Sequence, residues 1–123
     1  MKSLKIVFHS NYCNTYSSDP AAAPGRMEAI LEELKGLEFI KPVQATVDDL
    51  ALVHTQSHMD SVKTTPQIYE IALLAVGGAI KASEIALAGE PTFTLARSLG
   101  HHASPDYSWG FCYFNNIAIS IEN

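Results

Sequence analysis

Between Ala96 and Asn116 the sequence sets an adjacent histidine pair, His101-His102, behind Gly100 and ahead of Asp106 and the run Gly110-Phe111-Cys112-Tyr113-Phe114-Asn115-Asn116. An unperturbed imidazole titrates near pH 6.5, so it can accept or donate a proton at neutral pH. A neighbouring glycine permits tight backbone geometry, so two imidazoles can serve one reacting centre. Plainer readings compete with this one. Adjacent histidines in a loop are more often polar loop residues with no chemistry. Histidine is also a common metal ligand, but this pair with Asp106 matches no dependable ligand spacing. A thiol-based hydrolase would pair the imidazoles with Cys112, and nothing else in the sequence supports it. Phe111, Tyr113 and Phe114 read by default as core or surface aromatics.

The elements that must position this stretch are legible in outline. Leu4, Ile6, Val7 and Phe8 form an apolar run that predicts a strand buried on both faces, as in a parallel sheet. Residues 9–25 carry dense turn chemistry and predict a loop. Met27, Ile30, Leu31 and Leu34 lie on one face of a helix that opens at Arg26 and stops at Gly36. Thr46 with Asp49 makes a capping box for a short helix, and Ser57 with Asp60 repeats the pattern. Thr65-Pro66 opens the longest helix, which runs to about Ala88. It is apolar nearly all round, so other elements must cover it. Gly77-Gly78 in its middle costs about 1 kcal/mol per glycine relative to alanine, which points to close backbone packing there. Thr92 to Leu95 predicts a second strand, residues 97–116 a long loop, and residues 117–121 a further helix. A strand–helix–strand order predicts an α/β fold with a parallel sheet, and ligand sites in such sheets form beyond the strand ends. Two strands do not make a stable sheet, so residues 1–123 read as a single partial domain or as a chain that associates.

Composition excludes several classes. With 47% hydrophobic and 17% charged residues the chain is globular. A formal charge of -5, with six lysines and two arginines scattered, argues against nucleic acid as a partner. The uncharged run from Ile71 to Ile80 is too short to span a membrane, which takes about 20 apolar residues. Cys13 and Cys112 are too few and too far apart for a disulfide framework, and residues 1–10 do not form a signal peptide. The expected setting is cytoplasmic.

Gly100-His101-His102-Ala103, followed by Gly110 through Asn116, resembles the signature of the histone deacetylase and acetylpolyamine amidohydrolase superfamily. Phe8-His9, Pro24-Gly25-Arg26, Val53-His54 and Ser57-His58 resemble that family's opening segments, with the acetoin-utilisation branch nearest. The resemblance covers the whole chain but about the first third of a catalytic domain. It implies the N-terminal part of the arginase/deacetylase-type three-layer fold.

By that resemblance His102 is the main general base and acid, and His101 lies near the zinc-bound water and tunes its electrostatics. Gly110 and Phe111 line the tunnel for the acyl-lysine stem, where apolar burial is favourable by about 25 cal/mol per Å². Cys112 packs beside the acetyl-binding end. Arg26 resembles an arginine at an internal exit cavity; from the sequence alone it reads equally well as a solvated helix-start residue. Arg97-Ser98-Leu99 departs from the family's usual Arg-Pro-Pro and frees the backbone just before the site. The family's zinc ligands fall beyond Asn123. Zinc is therefore expected for the complete enzyme but not for this chain alone, which carries no expected metal ligand. Hydrolysis of this kind needs a metal to polarise the amide and acidify water, so the isolated chain is expected to be inactive. The implied substrates are acetylated lysines or polyamines. The implied partners are a complementing C-terminal half or further copies of the chain. The alternative is a non-enzymatic, self-associating remnant of the same fold.

Overall fold

The computed structural model describes residues 3–123, and the side chains of all of these but Ala21. Met1 and Lys2 of the opening segment lie outside the described residues.

The apolar run near the N-terminus forms strand β1 (Lys5–Val7), with Ile6 and Val7 completely buried. A 3₁₀ turn at Ser10–Cys13 follows, capped by the His9 ring, which accepts a hydrogen bond from the Asn11 N–H. Helix α1 (Arg26–Leu34) buries Met27 and half-buries Ile30, Leu31 and Leu34, the face set by their spacing. The chain then makes strand β2 (Glu38–Ile40), which no pattern in the sequence marks. Its residues are exposed or half-buried, so no buried alternation marks it; it is a strand because β1 offers an open edge. After helices α2 (Val47–Ala51), α3 (Gln56–Lys63) and α4 (Pro66–Leu87) comes strand β3 (Thr92–Thr94), one residue shorter than expected. Helix α5 (Asn116–Glu122) closes the order. Among the described residues the sheet is β2-β1-β3 and all parallel, three strands where the sequence indicated two. This is an α/β arrangement.

The caps follow local chemistry with one correction. Thr46 and Asp49 form the expected reciprocal box at the start of α2. Helix α3, however, is capped by Thr55, whose hydroxyl accepts from the His58 N–H; Ser57 lies inside the helix. Thr55 also sends its own N–H to the Pro105 carbonyl, so a tertiary contact selects this residue over the equally suitable serine.

Two clusters make the core. One joins Ile6, Tyr12, Met27, Leu74 and Leu95, tying β1 to α1 and α4. The other joins Leu50, Met59, Val62, Ala72, Val76 and Ile119 from four helices, with Phe114 of the long loop in their midst. Helix α4 belongs to both, as its apolar circumference requires.

The glycine pair in α4 sits where neighbours reach the helix backbone. The Ala45 N–H donates to the Leu73 carbonyl at 3.1 Å, and the Tyr12 hydroxyl to the Leu74 carbonyl at 2.6 Å. A Cβ on Gly77 would stand 1.8 Å from the Val43 carbonyl oxygen; one on Gly78 would meet the Tyr12 hydroxyl at 2.7 Å. Alanine favours a helix interior by about 1 kcal/mol, but an overpacked backbone contact costs about 1–3 kcal/mol or more. Gly77→Ala is therefore expected to lower the urea midpoint of unfolding, and by more than Gly78→Ala, because Val43 presents main chain and Tyr12 a side-chain tip. A raised midpoint for Gly77→Ala would show that the Val43 segment is free to move.

Candidate functional site

Residues 97–115 contain no helix or strand, yet Arg97, Ser98, Gly100, Ala103, Cys112 and Phe114 within them are buried. Its main-chain groups must find partners outside regular ladders. Leu99 and Trp109 each make an isolated bridge with Cys112, which folds the segment back on itself. The Asn115 side chain donates to the Ala103 carbonyl and accepts from the Ala118 N–H, so one residue closes the loop and caps α5. The Asn116 side chain donates to the Ser98 carbonyl. Gly100 lets the two arms pass: a Cβ there would stand 2.5 Å from the Phe114 carbonyl oxygen.

His101 and His102 lie side by side and exposed, with ring centroids 4.2 Å apart. The Trp109 ring covers one side of His102, centroid to centroid 4.7 Å. Gly110 adjoins the same ring, and a Cβ on it would approach His102 Cδ2 to 3.2 Å. Gly110 and Phe111 both adopt the left-handed conformation, at φ 61° and 62°. For Phe111 that conformation costs about 1–2 kcal/mol, a strain stored beside the histidines. The Phe111 ring stays 43% exposed. Cys112, by contrast, is completely buried. His101 also lines a groove of about 460 Å³ between α4, β3 and α5, walled largely by alanines and serines.

Arg26 is not part of this group. It lines a neighbouring cleft of about 220 Å³ with Tyr16, Asp19, Ile30 and Arg97. The cleft and the groove share Thr94, Ala96 and Leu99. Arg97, named in the sequence only for the departure that follows it, is 4% exposed. Its guanidinium donates to the Asn14 carbonyl at 3.2 Å and the Ala23 carbonyl at 3.4 Å, tying the first loop to the site loop. Among the described residues its Nε has no hydrogen-bond partner. The Arg97–Ser98 peptide bond is cis.

Two further histidines support the loop from behind. His54 Nδ1 faces the Pro105 carbonyl at 3.3 Å, and its Nε2 accepts from the Asn115 N–H at 3.0 Å. His58 Nε2 meets the Tyr113 carbonyl at 2.7 Å. The sequence marked both only as segments of a family resemblance. Their partners are main-chain atoms more than fifty residues away, which no local pattern reveals. Burial and then the nearby His58 hold the His54 pKa below the ordinary imidazole value, against weaker opposition from the Pro105 and Ser104 backbone.

The residues present do not fit a zinc centre by themselves. Among the described residues no three His, Cys, Asp or Glu side chains are grouped to hold a metal ion. No helix of the described residues is long and apolar enough to cross a membrane.

Two expectations follow. His54 is neutral in the fold and titrates lower than in the unfolded chain, so its contribution to stability is complete above about pH 6.5 and declines as pH falls from there through its folded pKa. His9, also lowered by burial and then by Lys41, adds a decline of the same sign. Denaturant midpoints measured from about pH 7.5 to pH 5.5 should therefore fall, and less so for His54→Gln; a midpoint rising on acidification contradicts the assignment. Cys112, fully buried, should resist an aromatic disulfide reagent until denaturant is added, while the half-buried Cys13, whose pKa burial raises, should react slowly. Rapid modification of both thiols in the folded chain would place Cys112 at the surface.

Residues 21–123 match the histone deacetylase domain family. A probable deacetylase of Methanothermobacter thermautotrophicus is 36% identical over 118 residues, spanning 80% of this chain and 36% of that protein. A histone deacetylase-like amidohydrolase of Pseudomonas aeruginosa is 38% identical over 95 residues, spanning 63% of this chain and 25% of that protein. The crystal structure of the HDA15 HD domain superposes with a TM-score of 0.84 at 23% identity, over 98% of this chain and 43% of that one. The chain thus spans between a quarter and about a third of the length of these two curated relatives and shares the fold of part of the HD domain. On the extent of the family match, the chain belongs to the histone deacetylase domain family.

Proposed function

We propose that this chain is the N-terminal portion of a zinc-dependent deacetylase domain that hydrolyses acetyl-lysine or acetylpolyamine-type amides. In this reading residues 1–123 form one partial domain of a cytoplasmic enzyme. They supply the proton-transfer histidines, and the zinc ligands belong to polypeptide outside them. The observation that carries the reading is the pair itself: two exposed imidazoles, 4.2 Å apart, one walled by Trp109 and Gly110.

In this reading the roles are those the family resemblance implies. His102 takes the proton from the attacking water and returns it to the leaving amine, the cycle of a general base that becomes a general acid. His101, in contact with it, biases that exchange electrostatically. Phe111, exposed and left-handed in its backbone, offers an apolar face to the methylenes of an acylated amine. Gly110 leaves room for that stem beside the imidazole. Cys112 packs behind the wall. Arg26, in the neighbouring cleft, suits an anionic product such as acetate.

A second reading has its own support. Both outer strands present an aromatic ring to solvent, Phe39 at 41% and Phe93 at 51% exposure, and Leu87, Ile117 and Ile121 add apolar surface. Such edges and patches favour association, so a non-enzymatic, self-associating form of the fold is the alternative.

The isolated chain is expected to bind no stoichiometric zinc and to turn over no acetyl-lysine peptide. Mixing it with the unmatched portion of a full-length relative is expected to restore both. In the active mixture His102→Ala should lower kcat about 10²–10⁴-fold with little change in KM. Zinc-dependent turnover by the chain alone would refute the shared-site reading. Indifference to the complementing portion, together with a light-scattering mass of an oligomer, would favour the second.

A further inference from the structure

His54 and His58 are buried, 5% and 2% exposed, and have no place in the proton transfers assigned to the exposed pair. Their ring centroids lie 4.8 Å apart, and both rings border Phe114, at 5.3 and 5.7 Å. The partners fix their tautomers. The Asn115 N–H is a donor, so His54 Nε2 is bare and Nδ1 carries the proton given to the Pro105 carbonyl. The Tyr113 carbonyl is an acceptor, so His58 Nε2 carries the proton. His58 is the charged neighbour that acts on His54, and Tyr69 borders the same Phe114 ring at 6.1 Å. Asp106, next to Pro105, accepts from the Thr55 hydroxyl at 3.1 Å.

These contacts fall at residues 105, 113 and 115, the two ends of the excursion that carries Trp109 and Gly110. We infer that His54 and His58 are positioning residues of the tandem-histidine site: their hydrogen bonds clamp both ends of this excursion and so hold Trp109 and Gly110 against His102. The inference rests on the deacetylase reading for what His102 does, and not for the clamp itself. Packing of Phe114 alone is the competing account of the same geometry. The low pKa of His54 accords with a ring that must stay neutral to accept from Asn115. Protonation would set an N–H against an N–H.

The test is nuclear magnetic resonance on the 123-residue chain, with no assay of turnover, so it can fail while the deacetylase reading stands and the reverse. Trp109 is the sole tryptophan, and its ring current displaces the ring-proton shifts of His102; Trp109→Ala calibrates that displacement. His54→Phe keeps a planar ring beside Phe114 and removes both hydrogen bonds. His54→Gln retains a donor and an acceptor. The expected result is that His54→Phe abolishes most of the displacement and speeds exchange of the Asn115 amide about tenfold, as loss of one buried hydrogen bond implies, with far-UV circular dichroism unchanged. His54→Gln should restore most of both. Equal displacement in His54→Phe and the unsubstituted chain overturns the clamp in favour of Phe114 packing, and so does equal damage by both substitutions. If His54→Phe does not fold, the unsubstituted chain decides: nitrogen shifts at neutral pH must show His54 with Nδ1 protonated and Nε2 bare, and any other form overturns the inference.

Discussion

A buried main-chain group without a hydrogen bond costs about 1–3 kcal/mol, and this constraint governs the loop that bears the site more than any element of the fold does. Between β3 and α5 the candidate site lies on a stretch that no ladder supports. Side chains from elsewhere take over that role. His58 and His54 hold the main chain on either side of Phe114, and Asn115 and Asn116 reach back to Ala103 and Ser98. The Phe114 ring is completely buried between them, among residues of α2 to α5. Hydrophobic burial supplies the attraction. The directional bonds choose one conformation from the many that would bury a phenylalanine.

Fixing that one conformation lets the loop hold strain. Two successive left-handed residues, Gly110 and Phe111, relax in a free loop; here they are confined between Trp109 and Cys112, whose main chains pair. Arg97 acts in the same sense from the other side. A buried guanidinium bonded to two neutral carbonyls is an expensive tie, since its charge gains no full counter-charge from them. It nevertheless joins the loop after β1, the approach to α1 and the start of the site loop at one point. The geometry around His102 thus depends on polar contacts drawn from three regions of sequence.

Much of the scaffold was legible because its causes are local. The face Met27, Ile30, Leu31, Leu34 declares α1, the Thr46–Asp49 box declares α2, and Gly77-Gly78 announces the close approach of Val43 and Tyr12 to α4. Strand β2 was not legible: Glu38 and Phe39 are exposed and Ile40 half-buried, and the pairing comes from β1. The cap of α3 was misplaced for a similar reason, since Thr55 and Ser57 are equal in local chemistry and Pro105 decides between them. Within the site, adjacency made His101 and His102 conspicuous. The supporting roles of His54, His58 and Arg97 stayed hidden because their partners are carbonyls and amides, which every residue has. Trp109 bears no local mark either. An aromatic seven residues beyond His102 has no helical or strand register with it, and only the turn through Gly110 brings the rings together.

The exposure of the tandem pair completes the physical account. Proton transfer between a histidine and a developing charge gains most where water is excluded and the dipoles are fixed. Trp109 and Gly110 close one flank of His102, while both imidazoles remain open to solvent elsewhere. The protein has invested its rigidity on the closed flank, in strained turns and buried clamps. A loop fastened at residues 105, 113 and 115 can keep its shape while its outer face is covered by other polypeptide or by substrate. Under the proposed function, an open but rigid half-site is what a shared active site would require of the chain that contributes the acid–base pair. In that reading the geometry is set before any further wall arrives, and little ordering is left for the encounter to supply.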